Sequence, residues 1–346
     1  MTSHPDGATP VSVPAPSPEV PTRDDLEREI LGESPSLTSA DVMGSGNASA
    51  AEARRLWRAL GFADAGEAAA FTQADAQAMA MLDDLVSAGT LDFDMAVRLT
   101  RAVGHTMARL ADWQVSTLTE RVEDLERSGR GTGSRLATGL DFVRSIEPSF
   151  EHLMVYAWRR HLAAAVSRVE ALGANDANLH TQTRTVGFAD LVSFTRLSSG
   201  IDNDHLADVV EGFESVCSDL VAGRGGRIIK TLGDSVLFIA ERPRLAVDIA
   251  SDIVEEIGAD PALPDVHVGL ATGPIVMRLG DVFGSPVNLA SRLTAVARRN
   301  RVIGDTTTAE ALRGTPGFSL RPLTERSLRG FGMVQPVAIK RLREPR

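Results

Sequence analysis

The 346-residue sequence predicts an α+β protein: an all-α N-terminal half joined by a long helix to a ferredoxin-like α+β unit. Three observations predict it. Apolar residues recur at i, i+3 and i+4 from Leu37 to about Leu172. A polar break, Gly173-Ala-Asn-Asp-Ala-Asn178, follows. Beyond it the runs alternate as strand, helix, hairpin, helix, strand. The expected division is a disordered tail over 1–34, a helical domain over 35–172, a linker over 173–183 and an α+β domain over 184–346.

From Met1 to about Pro21 the chain is rich in Pro, Ser and Thr. Such a segment buries too little surface to offset its ordering entropy. Asp24 to Leu31 reads as one short helix. Leu56, Trp57 and Leu60 share a face of the next. Phe71 to Ala88 reads as a further helix with Thr72 as N-cap. Phe93 to about Arg121 continues the pattern. After Pro148 the stripe Phe150, Leu153, Ala157, His161, Ala165 to Leu172 is broad enough to pack on its own domain and on a partner.

Past the break the period shortens. Thr185 to Asp190 reads as a strand and His205 to Val221 as an amphipathic helix. Arg227 to Ala240 reads as two strands around a turn at Gly233-Asp234. Arg244 to Ile257 is a second helix and Val266 to Thr272 a third strand. Ser285 and Pro286 read as N-cap and N1 of another helix.

Composition narrows the function. Hydrophobic residues make up 43% and aromatics only 5%, so the core is built from Ala, Val, Leu and Ile. A net charge of −10 argues against a protein that mainly wraps nucleic acid. The single cysteine, Cys217, excludes an intramolecular disulfide and a thiolate metal cage, and its neighbours make it a helix-packing residue. The N-terminus has no basic and apolar leader pattern. No stretch approaches the ~20 apolar residues that span a bilayer. A cytoplasmic protein is the expectation.

Chemistry concentrates in the second half. Asp190 and Asp234 each sit where a strand-like run breaks into a turn. Adjacent strand ends bring two such carboxylates together, and they repel unless a cation neutralises them. Mg²⁺ takes one or two carboxylates plus phosphate oxygens. Lys230 precedes Asp234 by four residues on a strand, so the two stand roughly 13 Å apart, too far to serve one site easily. Asn288 and Arg292 are i, i+4 on a helix, presenting an amide and a guanidinium near its anion-favouring start. Asp281 adds an acid at the loop before that helix. Each residue has an ordinary reading as a turn, surface or capping group; the conjunction points to metal-assisted chemistry on a nucleoside triphosphate.

The segments FADLVSFT, GGRIIKTLGDSVLF, HVGLATGPIV and DVFGSPVNLASRL resemble the class III adenylyl/guanylyl cyclase catalytic domain over roughly residues 184–342. The resemblance implies that Asp190 and Asp234 bind two ions of Mg²⁺ or Mn²⁺. It implies that Lys230 and Asp281 read the adenine ring, that Asn288 orients the ribose and that Arg292 braces the phosphates. It also implies a head-to-tail homodimer, with the aspartates from one chain and the other four residues from its partner. A lysine donor with an aspartate acceptor matches the adenine edge, so ATP is the expected substrate and 3′,5′-cyclic AMP the product. Many members carry a basic residue near the last strands to hold the triphosphate. Phe331 stands there in this chain, with Arg329 as a substitute.

Leu37-Thr-Ser-Ala-Asp-Val42, Ala53 to Gly61 and Leu99 to Gln114 resemble the helical regulatory domain fused to some actinobacterial class III cyclases. That implies control of the catalytic half, inhibitory in related proteins and relieved by acid pH or influenced by lipid. His105, His152, His161 and His180 offer a proton-sensitive element there. Against this stands a plainer reading, with His161 in the core and the others solvated. Two rival functions are a helix-turn-helix over Leu37–Phe62 using Arg54, Arg55 and Arg58 on DNA, and a cyclase-fold domain that binds nucleotide without turnover.

Overall fold

The computed structural model describes residues 21–44, 46, 48–171, 181–278 and 280–342. The first twenty residues of the expected tail and the polar break lie outside them. Two compact units result, Met1–Val166 and Ser167–Arg346.

The first unit is helical: α1 (Arg23–Leu31), α2 (Ser39–Met43), α3 (Ala50–Ala59), α4 (Gln73–Ser87), α5 (Phe93–Arg127) and α6, which runs over Arg135–Ala171. The first four helices each start on a reciprocal capping box, Thr22 with Asp25, Thr38 with Asp41, Ser49 with Glu52 and Thr72 with Asp75. α1 thus occupies part of the expected tail, and its Glu29 pairs with Arg144 of α6 at 2.9 Å. Val42, Leu56, Trp57, Phe71, Met79 and Val97 form the core. On α3, Arg55 pairs with Asp94 at 2.9 Å and Arg58 pairs with Asp64, so two of the three arginines of the DNA reading are engaged within the unit.

Two helices differ from expectation. α5 runs on to Arg127, and α6 contains Pro148 rather than beginning after it. A proline inside a helix removes one hydrogen bond. Here Pro148 and Arg144 are both exposed, so water can serve the freed Arg144 carbonyl. His105, His152 and His161 are exposed, so His161 is not a core residue of this unit; His180 lies outside the described residues. Leu99, Val103 and Trp113 of α5 and Leu153, Trp158 and Leu162 of α6 are exposed.

The second unit runs β1 (Thr181–Leu191), α7 (Phe194–Ser198), α8 (Asn203–Gly223), β2 (Arg227–Thr231), β3 (Ser235–Ala240), α9 (Pro243–Ile257), β4 (Val266–Arg278), β5 (Asp281–Phe283), α10 (Ser285–Val296), β6 (Arg301–Gly304), α11 (Thr306–Leu312), β7 (Phe318–Pro322), β8 (Arg326–Leu328), β9 (Gly332–Val334) and β10 (Val337–Arg341). The main sheet is ordered β2-β3-β1-β4-β6-β10-β7, with β5 beside β4. β1 is antiparallel to both β3 and β4, which gives the expected ferredoxin-like centre. β1 starts at Thr181 because Thr181 to Arg184 pair with the extended end of β4, Gly273 to Val276.

Helices α8 and α9 bury Phe213, Cys217, Ile249 and Ile253 against Val236, Phe238 and Val268. Burial, with the Glu214 charge second, pushes the Cys217 thiol up to about 12, in keeping with a packing residue. α10 covers the opposite face through Ala290 and Val287, against Val186, Leu237 and Ile275. Gly269 permits this: a Cβ there would lie 2.3 Å from the Thr294 nitrogen and 2.5 Å from the Ala290 oxygen. α10 begins at Ser285 with Gly284 as N-cap, one residue earlier than expected. Gly284 has φ 144, and a Cβ on it would meet the Pro274 oxygen at 2.8 Å, so no side-chain cap fits there.

Candidate active site

Asp190 lies near the end of β1, opposite Ser235 of β3 in the ladder. Asp234 immediately precedes Ser235, and its carbonyl accepts from the Leu191 N–H at 3.0 Å. The β1–β3 pairing therefore brings the two aspartates together. Burial first, and the Asp190 charge second, hold the Asp234 carboxyl above its ordinary range. The repulsion between two carboxylates this close is eased by a bound cation. Among the described residues no group of three or more His, Cys, Asp or Glu forms a metal cluster. The chemistry of two carboxylates fits a hard divalent cation.

The sequence reading missed two partners of Asp190. Ser235 Oγ donates to its Oδ1. His267, near the start of β4, meets its Oδ2 through Nε2 at 3.0 Å, and the His267 Nδ1 lies 3.0 Å from the Ala297 oxygen. A carbonyl only accepts, so Nδ1 carries a proton; a proton on Nε2 as well completes the contact with the carboxylate. Burial opposes that charge, but the bonds to Asp190 and Ala297 and the two aspartate charges win, and the His267 pKa is raised. β-Ladder register pairs Asp190 with His267 across 77 positions, a signal present in no local motif.

Lys230 and Asp281 form the second group. Lys230 Nζ donates to Asp281 Oδ2 at 2.6 Å, and Asp281 Oδ1 accepts from the Val282 N–H at 2.8 Å. Burial pushes the Asp281 carboxyl up, but the Lys230 bond and charge and the Val282 N–H outweigh it, and the net pKa is lowered. A bulge between Ile228 and Lys230 shifts the β2–β3 register just before the lysine.

Asn288 and Arg292 are exposed on α10, one turn apart, with no hydrogen-bond or ion-pair partner among the described residues. No hydrogen bond or ion pair joins one of the three groups to another among the described residues. Phe331 is half-buried against the cluster of Leu293, Ile303 and Leu328, while Arg329 is exposed between β8 and β9. No helix among the described residues is long and apolar enough to cross a membrane.

Residues 178–340 match the family model described as the adenylate and guanylate cyclase catalytic domain. An adenylate cyclase of Streptomyces coelicolor is 39% identical to the chain, covering 95% of it and 93% of that protein. An adenylate cyclase of Streptomyces griseus is 35% identical, covering 91% and 88%. Among solved structures, the guanylate cyclase domain of RhGC from Catenaria anguillulae is 23% identical, covers 47% of this chain and 98% of that one, and superposes with a TM-score of 0.44. The similarity to the two curated relatives extends through both units, and the chain belongs to the adenylate and guanylate cyclase family.

Proposed function

We propose that the protein is an adenylate cyclase, converting ATP to 3′,5′-cyclic AMP and pyrophosphate at sites shared between two copies of the chain. The observation that carries this is the juxtaposition of Asp190 and Asp234 across β1 and β3, in a chain similar to named adenylate cyclases over nearly its whole length.

Asp190 and Asp234 would hold Mg²⁺ or Mn²⁺, which when bound supplies Lewis-acid polarisation at the phosphates and a more acidic 3′-hydroxyl. Ser235 and His267 fix the Asp190 carboxylate by occupying both its oxygens. Lys230 donates to the adenine N1 and Asp281 accepts from the N6 amino group. Guanine presents the opposite pattern at that edge, so the pair favours ATP. Asn288 orients the ribose and Arg292 braces the α-phosphate as its charge grows. The ribose O3′ forms a bond to the α-phosphorus, the bond to the bridging oxygen breaks, pyrophosphate leaves, and the hydroxyl proton passes to solvent.

The lack of bonds between the three groups supports a site assembled from two chains. The exposed apolar side chains of α5 and α6 support a homodimer, since burying them is worth about 25 cal/mol per Å². The helical unit is read as the regulator, with acid or lipid as its stimulus on the strength of the resemblance. Cyclic AMP from ATP, lost in Asp234→Ala and far weaker cyclic GMP from GTP, is the expected assay result. No product from a dimeric, folded chain would overturn the reading.

A further inference from the structure

At the end of α10 away from Asn288, the second unit carries a cleft of about 500 Å³. Its floor is the face of β6, β10 and β7 that turns away from α9. Strand alternation decides which residues point there. Val302, Ile339 and Leu320 pack toward α9, so their neighbours Ile303, Ala338 and Arg321 face the cleft; the register pairs Ala338 with both Ile303 and Arg321. Arg298, Arg301, Arg321, Arg326 and Lys340 line it together, and among the described residues no carboxylate does.

Among the described residues none of these five cations has a hydrogen-bond or ion-pair partner. Three other arginines of the unit do have acidic partners: Arg299 pairs with Asp265 at 3.4 Å, Arg341 with Asp252 at 2.6 Å, and Arg224 also with Asp252. Five like charges around one cleft repel each other, in a chain whose net charge is −10. Solubility does not require such an arrangement. A bound anion would relieve it.

We propose that this cleft is a binding site for a small polyphosphate, either inorganic or carried on a nucleoside. Four of the five cations are arginines, whose forked donors match phosphate oxygens. A compact anion of three or more charges reaches several of them at once. Ile303 and Ala338 give the floor an apolar stretch that suits an organic body, and the volume is that of an ordinary small-ligand site. An extended polyanion such as nucleic acid is repelled by the acidic remainder of the surface, whereas a small one meets only the local field.

The test is titration calorimetry on the full-length protein at low salt with EDTA present, which removes the divalent ions that an aspartate metal site needs. The probes are tripolyphosphate, ATP and sulfate at matched ionic strength. Saturable binding of tripolyphosphate at one site per chain is expected. It should weaken at least about tenfold in Arg301→Glu/Arg321→Glu and on raising the salt, and persist in Arg292→Ala, which removes the phosphate contact of the proposed active site. Tighter binding of ATP than of tripolyphosphate assigns the floor to the nucleoside; equal binding assigns recognition to the phosphates alone. Because both arginines are exposed, the double variant should keep the native melting profile, and Lys340→Glu provides an independent second variant. No saturable binding, equal binding of sulfate, or loss in Arg292→Ala with retention in the double variant would overturn the proposal. None of these outcomes depends on turnover, so the proposal can fail while the cyclase reading stands.

Discussion

Lys230 and Asp281, 51 positions apart, are joined by a 2.6 Å ion pair on one chain. The two groups proposed to read the adenine edge therefore hold each other in place before any base arrives. On that proposal, nucleotide entry would exchange this contact for two hydrogen bonds of complementary polarity. Replacing the donor by an acid removes the pair and sets two carboxylates against each other. Lys230→Glu should lower kcat/KM for ATP by about tenfold to a hundredfold and raise the GTP-to-ATP ratio. An unchanged ratio in a folded variant would remove Lys230 from base selection.

Asp190 and Asp234 make a prediction about metal that needs no turnover. A cation bound to the folded chain stabilises it by mass action. Excess Mn²⁺ should raise the melting temperature of the native chain by a few degrees, and EDTA should reverse it. Asp234→Asn should lose most of that rise. It should be no less stable than the native chain in EDTA, because one of two mutually repelling carboxylates is gone. A rise that survives in both Asp234→Asn and Asp190→Asn would place the ion elsewhere.

Asp305 is the clearest source of pH-dependent stability. It caps α11, with Oδ1 accepting from the Thr308 N–H at 2.9 Å, and it is buried. Burial raises its pKa more than its hydrogen bonds lower it. A raised folded pKa means that its contribution is full below the unfolded value and is lost as pH rises through the folded one. Asn cannot ionise, and it caps helices about as well as Asp. The melting temperature of Asp305→Asn relative to the native chain should therefore be higher at pH 7 than near pH 4. A pH-independent difference would contradict this.

Gly269 bears on both fold and site. A methyl group there drives into the backbone of α10 at Ala290 and Thr294. Overpacking against backbone cannot be relieved by a rotamer change, so Gly269→Ala should cost about 2–3 kcal/mol. Because α10 carries Asn288 and Arg292, kcat should fall as well. Denaturant unfolding and steady-state kinetics together check this.

Much of this architecture is legible in the sequence for local reasons. Thr72 is an N-cap followed by Asp75, and the Gly233-Asp234 turn lies between two β-branched runs. Elements that depend on distant partners are harder to see. Nothing near Thr181 shows that β1 extends back to it; β4 decides that. Pro148 locally signals a helix start, and an exposed position lets α6 continue through it. Gly284 rather than Ser285 caps α10, because the close Pro274 oxygen excludes a side chain. The six proposed site residues stand out through their types and spacing. His267 and Ser235 do not, since a histidine at a strand start and a serine after a turn are ordinary until the register sets them beside Asp190. The cations of the cleft are likewise scattered over the loop after α10 and four strands, and only the packing of those elements brings them together.

Mixing Asp234→Ala and Arg292→Ala chains, each assayed alone and together, tests the shared-site account most directly. Each variant alone should form almost no cyclic AMP from ATP. The mixture should recover roughly a quarter of the native rate, since half the dimers are mixed and each holds one intact site of two. A native chain that forms cyclic AMP, with no recovery on mixing despite demonstrated subunit exchange, would contradict a site built from two chains; a native chain that forms none would contradict the cyclase itself.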